Sequence, residues 1–262
     1  MNESLMPIIW VIIALPVLLL MQRWIQTHLH GISLLLTGKP ERAMYLYAII
    51  LFPGVLIHEL SHWVTAKLLG VRTGSLSLLP RRGADGTLQL GYVEYYRSKT
   101  LDPVRESLIG GAPLIVGTAV ILLISYNIFS VPDLAVAVQS GDMDTVVIAL
   151  SDFFQTRFIL LWIYLIFAIS NAMMPSKSDR RAWPAFVVAM IILAGFVYLL
   201  GVQNEVASGL IRPVVLLFSY LGIAFSVAIG TDLFFMLILA FLEYLVGRLK
   251  GVNVVYGGSS GK

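Results

Sequence analysis

Residues 45–69 read YLYAIILFPGVLIHELSHWVTAKLL, and the way His58-Glu59-Leu60-Ser61-His62 sits inside that run decides the fold. A helix of about 20 mostly apolar residues crosses a bilayer, so the run is long enough to span one. Residues four apart on a helix share a face, so His58 and His62 point at one spot with Glu59 beside them. Three ionisable side chains in mid-membrane are expensive to insert. A polar packing cluster is the plainer reading of HELSH. A zinc site accounts for the expense better, with two His as ligands and a Glu as base, and it points to hydrolysis within the membrane.

Outward from this run the chain is apolar nearly throughout. Hydrophobic residues make up 58% of it and charged residues 13%, and the mean hydropathy of +0.86 lies far outside the range of soluble domains. Apolar windows fall at about 5–21, 44–69, 105–129, 158–174, 183–201 and 213–247. They predict an all-α polytopic membrane protein of six crossings. A break near Gly230-Thr231-Asp232 would make seven. Residues 1–6 carry no basic stretch and no small-residue cleavage site follows Met21, so the first window reads as a retained span in an N-terminal unit 1–43. Residues 183–250 form a C-terminal helical unit, and 251–262 a flexible tail or cloning remnant. No cysteine is present, which excludes disulfides and thiolate ligands. The net charge of +3, without a basic cluster interleaved with aromatics, gives no nucleic-acid footprint.

Charge in the connecting segments orients the bundle. Segment 70–105 carries Arg72, Arg81, Arg82, Arg97, Lys99 and Arg105, and 176–181 carries Lys177, Arg180 and Arg181. Segment 131–157, read as a loop, holds Asp133, Asp142, Asp144 and Asp152. The positive-inside rule then predicts a multi-pass protein with the basic loops and the C-terminus in the cytoplasm. Alternation in 75–78 and 87–95, around Pro80 and Asp85-Gly86, predicts a β-hairpin at the membrane surface or lining a wet cavity.

Catalytic zinc needs a third protein ligand. Carboxylates at Glu94, Glu106, Asp179, Asp232 and Glu243 are the candidates. His28 and His30, two apart, diverge on a helix and read as interfacial. Asp179 follows a helix stopped or kinked by Pro175, in a turn that could fold it back toward the pair. Asp232 and Glu243 lack an evident partner in sequence and read as packing or interfacial groups.

HELSH in one span, with Asn171, Pro175 and Asp179 two crossings later, resembles the site-2 protease family of intramembrane zinc metalloproteases. The Asn-to-Asp spacing of eight is the family's, and the resemblance covers the three-helix core at 44–182. It includes the hairpin and Gly110-Gly111-Ala112-Pro113-Leu114, similar to the family's Gly-Pro loop. The resemblance implies zinc held by His58, His62 and Asp179, Glu59 as general base, and Asn171 holding the substrate main chain. The implied substrate is a membrane protein cleaved in or near a transmembrane segment, received as an added strand by the hairpin. Segment 131–157 is too short for an inserted domain, since the smallest run to about 50 residues. Further readings are an inactive zinc-binding scaffold for transmembrane partners, a transporter using Asp232 and Glu243, and a peptidase with Glu243 as third ligand. Oligomeric state and substrate identity leave no trace in the sequence.

Overall fold

A computed structural model describes residues 5–77, 81–82, 88–89, 92–95, 103–252 and 254. Eight helices and four short strands follow in order: α1 Met6–Thr37, α2 Pro40–Leu68, β1 Thr73–Ser77, β2 Arg81–Arg82, β3 Leu88–Gln89 and β4 Tyr92–Tyr95. Then come α3 Pro103–Asn127, α4 Val131–Ser140, α5 Met143–Gln155, α6 Ile159–Ala172, α7 Trp183–Leu199 and α8 Gln203–Lys250. The expected β-element is present in nested form. β1 pairs antiparallel with β4, Ser77 opposite Tyr92, and β2 with β3. The expected turn at Asp85-Gly86 and Pro80 lie outside the described residues.

Four helices, α1, α2, α3 and α8, are long and apolar enough to cross a membrane, and α5 with α6 adds a fifth if the pair is one span bent by 85°. The chain is therefore a helical membrane protein. Exposed Leu20, Ile49, Leu123 and Leu237 on the outward faces suit contact with lipid. The six expected crossings are not all found. The 183–201 window yields only the 17-residue α7, and 213–247 belongs to one unbroken helix of 48 residues, about 72 Å long. Gly230 does not interrupt it, because a single Gly weakens a helix without forcing a turn. Segment 131–157 is two helices rather than a loop. Gly141 closes α4 at φ 69°, and the Asp142 side chain accepts the Asp144 and Thr145 amides to open α5.

Contacts fix the helix directions. Trp10 Nε1 donates to Ser226 Oγ at 2.9 Å, His28 pairs with Glu243 at 2.6 Å, and Lys250 Nζ donates to the Leu36 carbonyl at 3.2 Å. Both numbers rise together, so α1 and α8 run parallel. Tyr164 Oη reaches the Ile50 carbonyl and Gly54 meets Ala168, so α2 and α6 are parallel too. Asn171 meets Asp232 while Phe167 stacks on Phe235 at 4.0 Å, which makes α6 and α8 antiparallel. Consecutive crossings alternate in direction, so a lone crossing does not fit between α6 and α8.

Close approach of α2 and α6 depends on Gly54. A Cβ there would lie 1.9 Å from the Ala168 carbonyl oxygen, and small residues are how membrane helices come together without a hydrophobic drive. Apolar clusters built on Leu18, Ile121, Ile166 and Phe225, and on Ile25, Leu51, Phe167 and Leu239, accompany a set of buried polar groups. That polar set includes Gln22, Glu59, His62, Ser170, Asn171 and Asp232.

Candidate metal centre

His58 and His62 lie one turn apart on α2, and the segment after α6 returns Asp179 to them. His62 Nε2 is 3.4 Å from Asp179 Oδ1, His58 Nε2 is 3.6 Å from Asp179 Oδ2, and the two Nε2 atoms are 3.2 Å apart. Among the described residues this trio is the one cluster of His, Asp or Glu that could hold a metal ion. Their side chains are 14%, 8% and 15% exposed, too little for a solvated ion pair of the surface kind.

Backbone carbonyls aim both rings. His58 Nδ1 lies 2.6 Å from the Ala172 carbonyl and His62 Nδ1 lies 2.8 Å from the Ile109 carbonyl. A carbonyl only accepts, so each Nδ1 donates, and each neutral imidazole turns a bare Nε2 toward the other and toward the carboxylate. Two lone pairs and a carboxylate converging without a donor repel one another unless a cation lies among them. Holding the distal ring nitrogen on a carbonyl is how proteins orient metal-binding His.

Those carbonyls are available for a reason written in the chain. The α-helical partner of the Ile109 carbonyl would be the amide of residue 113, and Pro113 has none. At α6 the last carbonyls lack helical donors, and Pro175 withholds the amide that Asn171 would use. Side chains from two other helices supply the bonds. Gln22 Nε2 donates to Ser170 O at 2.6 Å, Gln26 Nε2 to Asn171 O at 3.4 Å, and His58 Nδ1 to Ala172 O.

Asp179 is held by a turn of its own. The Ser176 amide donates to Asp179 Oδ2 at 2.6 Å, and the Asp179 amide donates to Ser176 Oγ at 3.3 Å. Burial disfavours the charged form of this carboxyl, and the bond from the Ser176 amide favours it. The turn fits against α3 at Gly110, where a Cβ would stand 2.0 Å from the Asp179 carbonyl oxygen. Gly110 therefore permits this close approach. Gly111 meets nothing within 4 Å.

Glu59 is buried on the same turn of α2, within electrostatic range of His58, His62 and Asp179. Asn171 stands differently from the role its motif implies. It is 4% exposed, and its Nδ2 donates to the Phe167 carbonyl at 3.0 Å within α6 and, between helices, to Asp232 Oδ1 of α8 at 2.9 Å. Asp232 and Glu243, which lack evident partners in sequence, have them in space: Asn171 and Ser170 for the first, His28 for the second. His28 lies inside α1, stacked on Trp24 at 3.9 Å. The strand carrying Glu94 is described only in its backbone.

Pro113→Ala supplies an amide that competes with His62 for the Ile109 carbonyl. Removing an interior proline favours the helix by about 3 kcal/mol, yet metal affinity is expected to fall about 10- to 100-fold, the effect of losing a ligand's outer partner. Thermal unfolding and chelator competition on one preparation read the two opposite signs.

Comparison with protein-family models, curated proteins and solved structures finds no match.

Proposed function

We propose that this protein is an intramembrane zinc metalloendopeptidase that hydrolyses peptide bonds in or near transmembrane segments of membrane proteins. The observation that carries the reading is the convergence of two carbonyl-oriented Nε2 atoms and a carboxylate at mutual distances of 3.2, 3.4 and 3.6 Å. Ligands about 2.0–2.1 Å from a tetrahedral zinc stand about 3.3 Å apart, so the residues present fit that ion. Three protein ligands with a fourth position open is the catalytic form of such a site. Bound zinc would acidify a coordinated water and polarise the scissile carbonyl.

The chain's own residues supply the rest. Glu59, adjacent to His58, accepts the proton of the attacking water and delivers it to the leaving amine. Asp179 balances positive charge at the centre. The β1–β4 ladder is the surface we assign to an unwound substrate segment, taken up as an added strand because a helix hides its carbonyls. The resemblance to site-2 proteases supports this reading through HELSH and Asp179. Asn171 serves the scaffold in it.

Five crossings suit the helix directions, with α5 and α6 as one bent span and α7 not crossing alone. Segments 70–105 and 176–181 then face the cytoplasm by their positive charge. Lys250 lies 18 residues beyond Asp232 on α8, about 27 Å along the axis, which puts the C-terminus on the opposite side from those loops. That differs from the cytoplasmic C-terminus a six-crossing count requires.

Metal content of the purified protein tests the proposal. Near-stoichiometric zinc by mass spectrometry is expected, along with chelator-sensitive cleavage of a membrane-spanning peptide. Folded protein that takes up no zinc even after its addition would end the enzyme reading.

A further inference from the structure

Asp232 is fully buried in the middle of α8. A carboxyl group at such depth is expensive, and no Lys or Arg forms an ion pair with it among the described residues. Its Oδ1 accepts from Asn171 Nδ2 at 2.9 Å and from Ser170 Oγ at 3.0 Å, while its Oδ2 and the Asn171 Oδ1 are buried without hydrogen bonds. Both donors also reach the Phe167 carbonyl at 3.0 Å within their own helix. They do not need Asp232 for their own satisfaction. What the carboxyl adds is a tie between α8 and the last turn of α6.

That turn carries the carbonyl that aims His58. Asn171 precedes Ala172, whose oxygen takes His58 Nδ1 at 2.6 Å, and Ser170 O is fixed from the other side by Gln22. A continuous path runs from Asp232 through Asn171 and the Ala172 carbonyl to the ring of a metal ligand. We infer that Asp232 is a positioning residue of the metal centre, which makes α8 part of the working site although it lies outside the 44–182 core. The inference rests on the zinc reading above.

The test is zinc affinity, read by chelator competition on the full-length protein in detergent with zinc alone as probe. Asp232→Leu fills similar space without an acceptor. It is expected to weaken zinc about tenfold, as outer-shell changes do. Asp232→Asn keeps the acceptor oxygen and is expected to restore wild-type affinity. Glu243→Gln, also on α8, loosens the contact with His28 of α1 and is expected to leave zinc unchanged even where unfolding temperature drops. That separates positioning from general stability. Should Asp232→Leu fail to fold, Asp232→Ser, too short to reach Asn171, takes its place with the same expectation.

Along one path the effects do not add, so Asn171→Ala combined with the Asp232 variant is expected to be no worse than either alone. Wild-type zinc affinity in a folded Asp232→Leu protein, or equal loss in Glu243→Gln, would overturn the inference while leaving the zinc site standing. A wild-type protein without zinc would sink both.

Discussion

Glu59→Gln is expected to retain zinc at wild-type affinity and to lose peptide hydrolysis by about 100- to 10,000-fold, the contribution of a positioned general base. The substitution keeps size and shape in a buried position, and His58, His62 and Asp179 remain in place with their carbonyl partners. Gln cannot take a proton from water. Separate readouts of metal and activity matter here, since the competing scaffold reading predicts that only partner binding counts. A Glu59→Gln protein that cleaves at the wild-type rate would remove Glu59 from the chemistry. One that purifies without zinc would make it a ligand or a structural group.

Asp179→Ala is expected to cost more than the 10- to 100-fold in metal affinity that outer-shell changes typically produce, because a direct ligand is lost. Two imidazoles 3.2 Å apart at Nε2 would then face each other without the carboxylate. The Ser176 amide would lose its acceptor as well. Asp179→Asn separates these effects: it keeps an oxygen for the Ser176 amide and discards the charge. Zinc titration of the pair is expected to show both variants weakened, with Asn the milder. Unchanged affinity in Asp179→Ala would move the third ligand elsewhere.

The legible part of this site is local. HELSH declares itself because four-residue spacing on a helix is a fixed geometry. Asp179 lies 117 residues beyond His62, a distance no periodicity encodes; Pro175 marks a turn that could return it, and the resemblance of the Asn171–Asp179 segment to a known pattern singles it out from the other carboxylates. The carbonyls of Ile109 and Ala172 have no side-chain signature. A trace of them is nevertheless present: Pro113 four residues after Ile109 announces a freed acceptor. The partners of Asp232 and Glu243 come from helices far away in sequence, so composition gave no hint of them. Helices α4 and α5 carried usable punctuation in Gly141-Asp142, overshadowed by the acidic charge that made the segment read as a loop.

The parallel pairing of α1 with α8 joins residues 215 and 216 apart, as in His28 with Glu243 and Trp10 with Ser226. At about 5–20 residues per second, α1 is made roughly 10–40 s before its partner. Through that interval His28 sits in the bilayer or its insertion machinery without Glu243, while Gln22 waits a shorter time for Ser170, 148 residues later on α6. The α6 turn that aims His58 is likewise tied to α8 only once Asp232 has been threaded in. On the proposed reading, the metal centre is thereby expected to reach its full zinc affinity only once α8 has been threaded in.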